Sequence, residues 1–125
     1  MKPRAAIAAA ALLAIPVPAQ AVDVATFVKR VDALERFGPL ALLMPEFRRL
    51  KRLIEADGDA LKADYARAKA ENRPTDFCPP KAGKPRFSKD EFLAGVYAVP
   101  LDQRATTDTK EVLRVLLERK YPCPN

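Results

Sequence analysis

Two short strings frame the last third of the chain, Phe77-Cys78-Pro79-Pro80 and Tyr121-Pro122-Cys123-Pro124-Asn125, and they hold its only two cysteines. A disulfide between Cys78 and Cys123 would close a loop of about 46 residues, which the chain-entropy account values at ~4 kcal/mol. A tie of that size can decide whether a small domain folds. Inside the loop, Ser88-Lys89-Asp90-Glu91 has the form of a capping box, in which serine hydroxyl and glutamate carboxylate each satisfy a free backbone N–H. Phe92, Leu93, Val96 and Tyr97 then carry one apolar face of a helix that ends before Pro100, since the residue preceding proline is pushed out of helical geometry. Gly95 lets another helix approach closely. A polar connection, Leu101 to Thr107, leads to Thr107 or Asp108 as cap of a last helix with Val112, Leu113, Val115, Leu116 and Leu117. Tyr121-Pro122 stops it and returns the chain toward Cys78.

Whether the thiols pair depends on the compartment, which the other end of the chain addresses. Met1-Lys2-Pro3-Arg4 is positive, Ala5 to Ile15 is an unbroken run of eleven apolar residues, and Pro16-Val17-Pro18-Ala19-Gln20-Ala21 ends in an A-x-A pattern. That order is a secretory signal, predicted to be cut after Ala21. Eleven apolar residues fall well short of the roughly 20 needed for a membrane helix. The expected mature protein is Val22 to Asn125, a single helical domain in the periplasm, where disulfides persist. Export and an even count of two predict the Cys78–Cys123 bond.

Working back toward the signal, Val24, Phe27, Val28, Val31 and Leu34 recur at helical spacing. Asp23 is a candidate cap and Gly38-Pro39 a stop, so a first helix is expected over about 24 to 36. Pro39-Leu40-Ala41-Leu42-Leu43-Met44 is apolar on all sides and is expected to be a short buried turn of helix. Left uncovered, it would instead be a partner-binding knuckle. Pro45 suits the first turn of the next helix, whose face of Phe47, Leu50, Ile54, Leu61, Tyr65 and Ala68 predicts one long helix to about residue 71. Gly58 lies inside it as a weak point. Residues 72 to 87, rich in proline, read as a connecting loop pinned by Cys78. The fold class is therefore all-α, a small bundle of about four helices with one disulfide after a cleaved signal peptide.

Composition removes several kinds of chemistry. The chain has no histidine, and Ser88, its only serine, is accounted for by the cap. Ser-His-Asp and Cys-His nucleophilic sites cannot be assembled from it, and paired cysteines leave no thiolate for a metal. No catalytic residue, metal or cofactor is expected. A carboxylate-based hydrolase using Asp102 and Asp108 is an alternative that requires one of them to be buried with a raised pKa. The net charge of +6 falls to +4 without Lys2 and Arg4, and nothing resembles a nucleic-acid module. The sharpest charge cluster is Arg48, Arg49, Lys51 and Arg52, a solvated face or a contact for anionic lipid, glycan or an acidic protein.

Cys78-Pro79-Pro80, the capped helix, Val99-Pro100-Leu101-Asp102-Gln103-Arg104, the last helix and Tyr121-Pro122-Cys123-Pro124 together resemble the Rap/Tai-type immunity proteins of type VI secretion. The resemblance covers about residues 77–125. In that family a cysteine-proline entry, a helix, a proline-containing polar turn, a second helix and a terminal aromatic-Pro-Cys recur in this order. It implies that Cys78 and Cys123 match motif cysteines, that Pro100 to Arg104 match the turn, and that the protein binds and blocks an amidase toxin. Residues 22–72 depart from the pattern, which usually has further cysteine there.

The leading expectation is thus a non-enzymatic periplasmic binding protein that occludes the active cleft of a secreted peptidoglycan amidase. Asp102, Gln103 and Arg104 are its candidate contacts, with Arg104 foremost because arginine is enriched among residues that carry binding energy. The alternative is a structural or chaperone-like helical protein that binds other exported proteins, which an uncovered apolar surface around Leu40 to Met44 would favour. A second copy of the chain is a further partner to consider.

Overall fold

The computed structural model of the chain describes residues 21–80 and 85–124; the predicted signal segment lies outside them except for Ala21. Among the described residues there are four α-helices, α1 (Val24–Glu35), α2 (Pro45–Ala70), α3 (Lys89–Ala98) and α4 (Thr109–Lys120), and two 3₁₀ turns, Gly38–Leu43 and Leu101–Gln103. The all-α bundle with one disulfide is as expected. Each α-helix starts where its chemistry directs. Asp23 accepts from Thr26 N at 2.9 Å, Ser88 Oγ accepts from Glu91 N at 3.1 Å, and Asp108 accepts from Glu111 N at 2.7 Å, so three of the four caps are side-chain oxygens on orphan amides. Asp108, not Thr107, caps α4. The Glu91 carboxylate accepts from Lys120 Nζ at 3.0 and 3.1 Å, which lowers its pKa and ties α3 to the end of α4. Pro45 opens α2, whose 26 residues run unbroken through Gly58. Gly38, at φ +55°, makes the turn out of α1 in the left-handed region that favours glycine.

The core is one cluster in which Val24, Phe27, Phe92, Val96 and Leu113 are almost wholly buried. α4 is its centre, packing against both α2 and α3, and a Cβ on Gly95 would come within 3.1 Å of Val112 Cγ1, so α3 and α4 approach closely there. The start of the described chain also reaches α4. Val24 N donates to Thr107 O at 2.8 Å and Thr109 N to Val22 O at 2.9 Å, pairing residue 23 with residue 108 in a single antiparallel bridge. Cys78 and Cys123 are bonded, with their Cα atoms 4.8 Å apart, and Cys78 N donates to Tyr121 O at 2.9 Å. The loop before α3 is held further by Tyr65 stacked on Phe77 and by Arg86 N donating to the Tyr121 hydroxyl at 2.9 Å.

One expectation is overturned. The apolar turn Gly38–Leu43 is a 3₁₀ helix, but it is not buried: Leu40, Leu42 and Leu43 are 62%, 58% and 76% exposed, and Phe37 before it is 50% exposed. Six residues between a left-handed Gly38 and the proline that opens α2 make too short a turn to press all its side chains inward. Only Ala41 and Met44 reach the core edge.

A groove, a knuckle and a pinned turn

α1 and α2 meet mainly through the turn Gly38–Leu43, which packs on both. The gap beneath that turn is an open apolar groove of about 690 Å³. Phe27 and Phe92 form its floor, edge to face with ring centres 5.7 Å apart, an arrangement that aromatic quadrupoles favour. Val31 and Leu34 of α1, Phe47 and Ile54 of α2, and Phe87 and Leu93 at α3 make the walls, and Pro39 and Leu42 hang over the opening. Its charged rim is mixed, with Glu35 and Glu55 beside Lys51 and Lys89. Such a concave, largely apolar surface suits an apolar ligand or a partner's side chains. Sequence periodicity marked Phe27, Val31, Leu34, Phe47, Ile54, Phe92 and Leu93 as core-facing, placed Phe87 in a loop, and could not show that two helices leave a gap. The one signal was the uninterrupted apolar run beside them.

The expected contact turn is built differently from its expected use. Leu101, Asp102 and Gln103 are exposed at its tip, Leu101 at 80%. Arg104 is half-buried and spoken for. Its Nε donates to Val99 O at 2.9 Å and its Nη2 to Tyr97 O at 3.0 Å, while its guanidinium carbon lies 5.8 Å from the Tyr97 ring centre. The guanidinium therefore satisfies carbonyls that the end of α3 leaves without helical partners. Its own carbonyl accepts from Ala25 N at 3.0 Å, joining the turn to α1. Tyr97 is fixed as well, donating its hydroxyl to Asp32 at 2.9 Å; burial and that carboxylate push its pKa up to about 12.

The four basic residues are all exposed but do not act as one cluster. Lys51 lies on the groove rim. Arg49 shares Glu46 with Arg30 of α1, and this pairing holds the Glu46 carboxyl below its usual pKa. Arg48 and Arg52, one helical turn apart, form no ion pair among the described residues.

Of the proposed carboxylate pair, Asp102 is exposed and Asp108 is committed to capping α4. The buried carboxylate is another one, Asp57 of α2, which is 7% exposed and accepts from the Thr109 hydroxyl at 2.7 Å. Burial raises its pKa, against the Thr109 hydrogen bond and with help from Asp108. It locks α2 to the first residue of α4. A polar recess nearby, bounded by Asp64, Arg67, Arg73, Asp76, Lys110 and Arg114, is crossed by the Lys110–Asp64, Arg67–Asp64 and Arg114–Asp76 ion pairs. No group of three or more His, Cys, Asp or Glu placed to hold a metal ion occurs among the described residues. Compared with known proteins, the chain matches no family model, no curated protein and no solved structure.

Proposed function

We propose that this is a non-enzymatic exported binding protein that seats an apolar, helical segment of another exported protein in the groove between α1, α2 and α3. One observation carries the proposal: a preformed apolar groove opens directly beside a turn whose leucines are left uncovered. Leaving that much apolar surface in water is unfavourable unless something covers it part of the time. A helix presenting residues at i, i+3, i+4 and i+7 is the common occupant of such a groove. This favours the chaperone-like alternative over the toxin-inhibitor expectation.

The immunity-protein reading is kept as a second one, supported by the exposed tip Leu101-Asp102-Gln103. Arg104 holds that tip from beneath, so little entropy is left to lose when it enters a cleft. The two readings place the partner on different faces. A photo-crosslinking residue in place of Leu42 reports the groove, and one in place of Gln103 reports the tip, in cells that make the protein. Adducts from position 42 are expected. Adducts from position 103 alone, with an exported peptidoglycan amidase, would replace the first reading by the second.

A further inference from the structure

Phe37, Leu40 and Leu43 do not line the groove, although each has at least half of its surface open. They are open to water outside the groove, and the charge of the sequence that holds them is lopsided. Residues 36–52 hold five cations, Arg36, Arg48, Arg49, Lys51 and Arg52, and one acid, Glu46. That segment has a net charge of +4, against +6 for all 125 residues. Glu46 is already engaged by Arg30 and Arg49, so it does not neutralise Arg48 or Arg52.

We propose that this knuckle docks on an anionic lipid surface, with Phe37, Leu40 and Leu43 entering the headgroup region and Arg36, Arg48 and Arg52 lying against its negative charge. Leucines on a protruding turn need no complementary pocket in a bilayer, whereas a protein partner would have to supply one. Apolar insertion and attraction to anionic lipid act together at such surfaces, and each arginine near one contributes about fivefold in binding. The mode is peripheral, since no helix among the described residues is long and apolar enough to cross a membrane. Membrane docking is independent of the groove, because Leu40, Leu43, Arg48 and Arg52 take no part in its lining.

The test is co-sedimentation of the chain beginning at Val22, which carries all four helices and the disulfide, with vesicles of phosphatidylglycerol and phosphatidylcholine or of phosphatidylcholine alone. Preference for the anionic vesicles by about tenfold or more is expected, weakening in high salt. The pair Leu40→Ser with Leu43→Ser is expected to lower partitioning about tenfold or more, and the pair Arg48→Gln with Arg52→Gln about 25-fold, both with unchanged thermal melting. Equal partitioning to both vesicle types, or serine variants that bind like the parent, overturns the proposal. Binding to polyglutamate as tight as to the anionic vesicles would also overturn it and assign the face to an acidic protein.

Discussion

Arg104 shows how a side chain that looks made for a partner can be consumed at home. Its two hydrogen bonds go to the Val99 and Tyr97 carbonyls, and hydrogen bonds from a charged donor are the stronger kind. Arg104→Ala is expected to destabilise the fold by about 2 kcal/mol in urea unfolding, whereas the exposed Gln103→Ala should leave stability within about 0.5 kcal/mol of the parent. Equal, small effects of both would show that the guanidinium is idle. Asp57 is the opposite case, a charge placed where charge is disfavoured. Its pKa is raised in the folded state, so its contribution is present below its unfolded pKa and is lost as pH rises through the folded value. Asp57→Asn keeps an oxygen for the Thr109 hydroxyl and removes the charge. The variant should be more stable than the parent at pH 7, with the gain shrinking toward pH 3. Glu46 and Glu111, whose pKa values are lowered by Arg30 and Arg114, carry the reverse sign and lose their contribution as pH falls. Neither role was legible in the sequence. A cap shows itself three residues away, but Arg104 reaches back to carbonyls whose need depends on where α3 ends, and Asp57 meets Thr109 52 residues along the chain.

At the level of the helices, the sequence was informative because the deciding signals are local. Asp23, Ser88 and Asp108 mark helix starts by their own hydrogen bonds, and the apolar face from Phe47 to Ala68 has one period throughout. Gly58 did not break α2, and a Cβ there would meet only Leu113 Cδ2 at an ordinary 3.9 Å. Gly58→Ala should therefore raise stability by about 1 kcal/mol, the helix-propensity difference; a loss in thermal melting would mean that α2 needs its weak point. The turn Gly38–Leu43 is where local evidence failed. Its hydrophobicity argued for burial, yet burial depends on what the rest of the chain brings opposite, and nothing among the described residues covers Leu40 or Leu43. That failure located the groove and knuckle, the surfaces on which both functional proposals rest.

For the molecule as a whole, many of the long-range ties share an address. Val22 bonds to Thr109 and Val24 to Thr107, Asp57 to Thr109, Cys78 to Cys123, Arg86 to Tyr121 and Glu91 to Lys120. Each has one end within the last nineteen residues of the sequence, and Val112, Leu113 and Leu117 of α4 complete the core. The earlier segments have some ties of their own, Tyr97 to Asp32, Ala25 N to Arg104 O and Phe27 against Phe92, but the disulfide and the contacts of α4 wait for the end of the chain. Contacts that end in residues 107 to 123 cannot form while the ribosome still holds those residues, so the disulfide and the α4 contacts close only once nearly the whole chain has been made. Cutting the chain after Arg104 should accordingly leave Val22 to Arg104 without cooperative melting, and adding α4 as a separate peptide should restore part of the helical signal. A truncated chain that melts cooperatively on its own would show that the bundle can close before its last helix arrives.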